Sequence, residues 1–386
     1  MEASGFQKIN IEKISTPCYI VSEDALVKNL KILKNVKQRT GCKILLATKA
    51  FSMYSTFPLI RNYLDGTCAS SLNEAKLGFE EFKGEVHTFA PAYSEEDFKQ
   101  ISKYSDHIIF NSMTQWNKYK IKIANSKNLK GKKIEAGIRI NPEYSEVKVE
   151  MYNPCAPFSR MGMTIDKIEG ADLNGISGIH FHAMCEQNSD TLKHILEVVE
   201  AKFGKYIKQM KWVNFGGGQH ITRSDYDIDL LCELIINFKK KYGVEVYLEP
   251  GEAVALNCGV LVASVFDIID NKKKIAILNT SAETHMPDVL AMPYTPKIIG
   301  AGEVGKFKYE YRLAGVTCLA GDVIGDYSFP EELKVGQKLI FLDMAIYSMV
   351  KNTTFNGINL PTIYLHKKGK LKLIKKFGYS DFKRRI

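Results

Sequence analysis

GISGIHFHAMCEQNSDTLKHILEVVEAKFGKYIKQMKWVNFGGG, residues 175–218, holds the pattern on which the fold turns. Gly175–His182 and Lys211–Gly216 are short strand-like runs, of the kind that is mostly rich in β-branched or aliphatic residues in this chain. Between them Leu192, Ile195, Leu196, Val199, Phe203, Ile207 and Met210 recur at three- and four-residue steps over Thr191–Lys211, which is one apolar face of a helix. A strand, a helix and a second strand in that order predict a parallel pair joined by a crossover.

Working outward, the same unit repeats. Strand-like runs stand at Lys43–Lys49, Gly66–Ser70, Glu85–Ala90, His107–Phe110, Ile134–Ile140 and Val244–Pro250, and most gaps between them can hold a helix. With the two above these make eight, which predicts a closed (β/α)8 barrel over residues 22–255 in an α/β chain. An open doubly wound sheet is the alternative. After Glu252 the texture changes. Gly259–Asp270, Lys274–Leu278, Arg312–Leu319, Gln337–Leu342, Thr362–His366 and Leu371–Lys375 are strand-like, with turns between them, and predict an antiparallel β domain over 256–386, joined by an amino-terminal strand within 1–21.

Whole-chain properties exclude several classes. A chain of 386 residues exceeds one ordinary core, which agrees with two domains. No apolar run reaches bilayer-spanning length, and Met1–Lys13 lacks the apolar centre of a secretory signal. The eight cysteines lie apart and form no C-x-x-C pair, which argues against structural zinc and, with the rest, for a cytoplasmic protein. The net charge of +10 is spread over scattered lysines without the interleaved aromatics of an RNA- or DNA-binding surface, so no nucleic-acid partner is expected.

In such barrels the chemistry collects where strands end at their carboxyl side. Here those ends carry Ala47-Thr48-Lys49, His180-Phe181-His182, Gly216-Gly217-Gly218 and Glu249-Pro250-Gly251-Glu252. Glycines 216, 217 and 218 can let backbone N–H groups approach a phosphate, or can form only a flexible turn. Lys49, partly desolvated in a barrel mouth, is a nucleophilic amine able to form a Schiff base; on an ordinary strand end it is a solvated cation. Glu249 can keep a pyridine nitrogen protonated, or sit in a loop salt bridge. His182 can lie against a ring face or be a polar strand end. Together these groups meet the needs of pyridoxal 5'-phosphate.

At these residues the chain resembles the fold-type III pyridoxal-phosphate decarboxylases, built on an alanine-racemase-like barrel, over nearly its full length. Thr16-Pro17-Cys18-Tyr19-Ile20, Ala47-Thr48-Lys49-Ala50, Cys68-Ala69-Ser70-Ser71-Leu72-Asn73-Glu74, Phe181-His182, the glycine triplet and Glu249-Pro250-Gly251 carry the likeness. Late in the chain Thr317-Cys318, and Ala345-Ile346-Tyr347 through Thr354-Phe355-Asn356-Gly357, extend it. The resemblance implies a cofactor lysine at Lys49, a ring-stacking His182, a reactive Cys318 and a phosphate-binding Tyr347. It also implies a head-to-tail homodimer in which Cys318 and Asp322 act across the interface.

The chain departs from the family pattern in three places. Glu252 stands where the family has arginine, His182 is followed by Ala183-Met184-Cys185-Glu186, and Cys318 is separated from its acid as Cys318-Leu319-Ala320-Gly321-Asp322. With Thr284-His285-Met286-Pro287-Asp288 these features resemble the branch acting on carboxynorspermidine and carboxyspermidine. On that reading Glu252, Asp288 and Asp322 recognise the amines of a carboxylated polyamine; otherwise Glu252 is a turn residue. Diaminopimelate decarboxylase is the rival on the same scaffold. A metal-dependent hydrolase using His180 and His182 is the rival from another class, but no further metal-ligand cluster accompanies them, and no metal is expected.

Overall fold

The computed structural model describes residue 6 and residues 9–386; residues 1–5, 7 and 8, part of the expected signal-free terminus and of the 1–21 segment, lie outside the described residues. The chain forms two compact units, Asn29–Val254 and a second made of the segment up to Lys28 with Ala255–Ile386.

The first unit is a closed barrel of eight parallel strands: β2 (Lys43–Ala47), β3 (Gly66–Ala69), β4 (Glu85–Phe89), β5 (His107–Phe110), β6 (Glu135–Arg139), β7 (Ile176–His180), β8 (Trp212–Asn214) and β9 (Glu245–Leu248). It closes where β2 pairs with β9. All eight expected strands are present, and the open sheet is excluded. The helix that opened the sequence argument spans Ser189–Ile207, with Leu192, Ile195, Leu196, Val199, Phe203 and Ile207 all buried. The barrel interior is filled, not hollow. Leu45, Ile109, Trp212 and Tyr247 form one cluster, and His87 and His107 stack at 3.9 Å beside Trp212. Gly178 makes room for that tryptophan, since a methyl group there would lie 2.0 Å from its ring.

The second unit is a sheet in the order β13-β12-β11-β10-β1-β15-β16, with β14 on β10. Its strands are β1 (Cys18–Ser22), β10 (Gly259–Asp270), β11 (Lys274–Leu278), β12 (Tyr309–Ala314), β13 (Val323–Phe329), β14 (Lys338–Leu342), β15 (Thr362–Lys367) and β16 (Lys370–Lys375). Strand β10 is long enough to serve two partners along its length. Its first half pairs with β1 and β14, and past a register shift between Val265 and Asp267 it pairs with β11. The sheet is mostly antiparallel, but β1–β15 and β11–β12 are parallel. Two details differ from expectation. Strand β13 has no counterpart in the sequence reading, and β12 ends at Ala314 instead of running to Leu319, because Gly315 turns to donate its N–H to Asp322 O at 2.8 Å. No helix among the described residues is long and apolar enough to cross a membrane.

His285 in this unit is fully buried between Thr280 Oγ1 (2.9 Å) and the Asn359 carbonyl (3.1 Å). Burial lowers its pKa to about 4, against the raising effect of that carbonyl and of Asp322. The unfolded chain, with an imidazole pKa near 6.5, therefore takes up the proton first. The contribution to stability is complete above pH about 6.5 and is lost as pH falls toward 4, amounting to at most about 3 kcal/mol. Thermal melts from pH 7 to pH 4.5 are expected to show a smaller drop in Tm for His285→Gln than for the parent chain; equal slopes would place the acid sensitivity elsewhere.

Candidate active site

Lys49 follows β2 on a segment pinned from two sides. Ala47 N–H donates to Pro250 O at 3.0 Å, while Thr48 donates to Cys68 O through its N–H (3.2 Å) and its hydroxyl (3.0 Å). A methyl group at Gly251 would lie 2.6 Å from Ala50 Cβ, so the Glu249-Pro250-Gly251 turn packs directly on the lysine segment. The Lys49 side chain is exposed, which differs from the partial desolvation expected of it. Its charge and that of Glu249 both act on Cys68, His180 and His182, so the two influence one set of side chains at the carboxyl end of the barrel strands.

Glu249 directly follows β9, with its side chain only 12% exposed. Its Oε2 is 3.2 Å from His180 Nε2, and its Oε1 accepts from Asn214 Nδ2 at 2.7 Å. Burial alone would push the carboxyl pKa up; the electrostatic and hydrogen-bonding pull of His180, with the Asn214 amide, outweighs it and holds the pKa at about 2. His180 is itself buried, which lowers its pKa against the raising effect of Glu249. The opposite nitrogen, Nδ1, is buried without a partner.

His182 is oriented by the glycine loop, whose Gly217 N–H donates to His182 Nδ1 at 3.0 Å. Burial, then the charges of Lys49 and Arg139, keep this imidazole pKa well below its usual value, so the ring is neutral. The loop is tightly braced. Gly216 N–H donates to Asn214 Oδ1 at 2.8 Å, and Gly216 O accepts from Glu249 N–H at 2.8 Å. With two of its three amides engaged, the triplet is less open than its composition implied: Gly218, with φ of +83°, is the one whose N–H has no partner among the described residues. A methyl group on Gly217 would lie 2.2 Å from Glu249 O, and one on Gly218 2.0 Å from Met184 O, so both glycines are required by close backbone approach.

Three groups at this end of the barrel escaped the sequence reading: Asn214, His180 as a partner of Glu249, and Arg139. The Arg139 guanidinium is buried, lies 4.6 Å over the Phe89 ring and reaches His182 O at 3.4 Å, with Nε unpaired. Burial lowers its pKa to about 10, against the pull of Glu249. Its signal was a cation between Ile138 and Ile140 at the carboxyl end of β6. Glu252 is not a free turn carboxylate: its Oε2 lies 3.2 Å from His220 Nε2. Among the described residues His180 and His182 belong to no group with metal-ligand spacing. The groups with metal-ligand spacing among the described residues are Glu85, His87 and His107, and Glu186, His220 and Glu252.

The remaining candidates belong to the sheet unit. Cys318 is exposed, and its N–H donates to Asn356 Oδ1 at 2.7 Å. Asp322 is 3% exposed and saturated: it accepts from Ala282 N–H (2.8 Å), Glu283 N–H (3.3 Å), Thr317 N–H (3.2 Å) and Thr317 Oγ1 (2.6 Å). It shapes the Cys318 loop and has no lone pair left to offer an amine. Asp288 pairs with Lys351. Tyr347 adopts φ 53°, ψ −45°, a strained conformation for a residue with a side chain, at the start of helix Ser348–Lys351.

The barrel residues fit pyridoxal phosphate on their own chemistry. An ionised buried acid lies at one end, a neutral imidazole face lies beside it, an uncommitted amide projects from a glycine turn, and an amine stands at the same end of the barrel. Lys49, His182, Gly218 and Glu249 would hold the group, with Arg139 beside them.

Comparison with known proteins points the same way. The family model described as pyridoxal-dependent decarboxylase, C-terminal sheet domain, matches residues 18–345. The chain is 47% identical over 383 residues to carboxynorspermidine/carboxyspermidine decarboxylase of Campylobacter jejuni, covering 96% of this chain and 98% of that one. It is 40% identical over 379 residues to carboxyaminopropylagmatine decarboxylase of Synechocystis, covering 97% and 96%. The crystal structure of carboxynorspermidine decarboxylase from Campylobacter jejuni complexed with norspermidine superposes with a TM-score of 0.90 at 45% identity, covering 97% of this chain and all of that one. Diaminopimelate decarboxylase from Helicobacter pylori, at 16% identity and a TM-score of 0.81, shares the fold. With a barrel whose strand ends carry Lys49, His182, the glycine turn and Glu249, matched by the family model over residues 18–345 and by relatives along nearly its whole length, this chain belongs to the pyridoxal-dependent decarboxylases.

Proposed function

We propose that the chain decarboxylates carboxynorspermidine and carboxyspermidine, releasing norspermidine and spermidine, as a cytoplasmic homodimer. The observation that carries this reading is the near full-length identity of 47% with the Campylobacter jejuni enzyme. The bond between the α-carbon and the carboxylate breaks, carbon dioxide leaves, and a proton takes its place on the α-carbon. When bound, the cofactor supplies a sink for the electron pair left behind. Lys49 would supply the amine that holds it, Glu249 would face its ring nitrogen as a fixed negative charge that favours a proton there, and His182 would pack beside the ring. Cys318 of the opposing subunit delivers the proton through its thiol or a water it orders. Exposed Val316, Leu319 and Phe355 surround Cys318 in sequence and through its Asn356 contact, which leaves apolar surface for that subunit to cover. Asp288, partly exposed beside Lys351, is the acid we assign to a substrate amine, and Asp322 acts through the shape of the cysteine loop. Tyr347 joins in holding the phosphate.

The Synechocystis relative, whose substrate ends in a guanidinium, sets the second reading. Competition among carboxynorspermidine, carboxyspermidine, carboxyaminopropylagmatine and diaminopimelate decides between them. The first two are expected to give the highest kcat/KM, with diaminopimelate, whose distal carboxylate meets acids, at least about 100-fold lower. A preference for the guanidinium substrate, or for diaminopimelate, overturns the assignment.

A further inference from the structure

Two carboxylates, Glu186 and Glu252, flank a single imidazole just beyond the phosphate loop. His220 is two residues past Gly218 and is 7% exposed. Its Nε2 lies 3.2 Å from Glu252 Oε2 but off the line of a hydrogen bond, so that buried nitrogen has no hydrogen-bond partner. Glu186, Glu252 and His220 each offer an atom within 4.8 Å of the others. Glu186 holds a left-handed backbone, φ 57°, on the loop whose Met184 carbonyl abuts Gly218. On the other side of the ring, Arg223 Nη1 lies 3.3 Å from Nδ1 and is itself tied to Asp225 (2.6 Å) and Asn188 (2.9 Å).

By position alone this arrangement works against the site. With Asp225 offsetting the Arg223 guanidinium, a phosphate dianion received by Gly218 would have two uncompensated carboxylates, Glu186 and Glu252, just beyond the loop that holds it, which is repulsive. The conflict disappears if the imidazole between them carries a proton. We propose that His220 is the cation that meets the cofactor's phosphate, and that Glu252 and Glu186 are its counter-ions and not ligands for a substrate amine. The inference rests on the cofactor assigned to the barrel. Burial opposes a charge on His220; Glu252, through contact and charge, and Glu186, through charge, favour it, Arg223 disfavours it, and the balance raises its pKa. Protonation costs the Arg223 contact at Nδ1, and Arg223 keeps its two other partners.

The test lies in an unusual sign. Removing an anion from beside a dianion ordinarily tightens binding, whereas here Glu252→Gln takes away the group that keeps His220 charged. Pyridoxal phosphate is titrated into protein stripped of cofactor, with equilibrium dialysis as the readout, and the holoenzyme is followed by phosphorus-31 NMR. His220→Gln is expected to raise Kd by about 10- to 100-fold, the loss of one charge-assisted hydrogen bond. Glu252→Gln is expected to raise it in the same direction by a smaller factor. His220→Lys, which keeps a cation, recovers part of the loss that the Gln variant shows, which a purely structural role would not allow. In the parent chain affinity falls as pH rises through the His220 pKa. That midpoint moves to lower pH in Glu252→Gln and vanishes in His220→Gln. Tighter or unchanged cofactor binding by Glu252→Gln, or a phosphorus resonance that ignores His220→Gln, overturns the proposal. A raised KM for the carboxylated amine at unchanged cofactor Kd would return Glu252 to substrate recognition. Failure of the parent chain to bind the cofactor at all would instead sink the cofactor reading.

Discussion

Lys49→Ala is expected to give a folded protein that is colourless after purification and cannot be linked to pyridoxal phosphate by borohydride, with kcat reduced by at least about 10³-fold. The size follows from losing both the covalent anchor and a proton-transfer group, the latter alone contributing some 10²–10⁴-fold. The fold should not suffer. Lys49 is exposed, and its segment is held by the backbone bonds of Ala47 and Thr48, which the substitution leaves intact. The same variant tests the shared site. Cys318→Ala is expected to be nearly as impaired in forming product. If each active site draws Lys49 from one subunit and Cys318 from the other, mixing the two inactive proteins regenerates one intact site in each mixed dimer, restoring roughly a quarter of the parent activity. A mixture no more active than its parts removes the cross-subunit role of Cys318. Retained colour and turnover in Lys49→Ala removes the role of the lysine.

Glu249→Gln is expected to load cofactor yet lower kcat by about 10²- to 10³-fold, the range seen when one preorganised electrostatic partner is removed. The amide matches the carboxylate in shape and its oxygen can still accept from His180, so the variant loses the charge and the Asn214 hydrogen bond while the packing is kept. Without that charge the ring nitrogen loses its proton and the electron sink weakens. The pH profile gives an independent check. Because the folded pKa is depressed to about 2, below an unfolded value near 4.3, this acid stabilises the fold above pH about 4.3, and that contribution fades as pH falls from there toward 2. The parent enzyme should therefore show no acid limb from Glu249 while it remains folded. Near-parental kcat in Glu249→Gln would mean that the acid serves structure alone.

The barrel could be read because strands such as Lys43–Ala47 and His107–Phe110 carry aliphatic runs and the long crossover helix Ser189–Ile207 shows one apolar stripe. Strand β13, Val-Ile-Gly-Asp-Tyr-Ser-Phe, could not. A glycine and an aspartate interrupt it, and it is secured partly by Arg312 donating to both oxygens of Asp326 at 2.9 and 3.0 Å, a pairing visible only once β12 and β13 are adjacent. The parallel pairing of β1 with β15 likewise joins segments some three hundred residues apart in the chain. At the site, Lys49, His182 and Glu249 stood out because they end apolar strands. Arg139 and Asn214 lie on strands that otherwise read as core, and their polarity makes sense only beside Glu249. For Asp322 the sequence showed a carboxylate but not the three N–H groups and the hydroxyl that consume it.

The contact between Gly217 and the Glu249 carbonyl has a consequence for how this scaffold can diversify. Two loops jammed backbone to backbone act as a fixed calliper: if the glycine turn receives one end of a small ring and Glu249 the other, the span between them is set by backbone and not by side chains. Descendants of this barrel that come to accept longer or shorter substrates must do so with residues outside those jaws, leaving the ring's own berth at constant gauge.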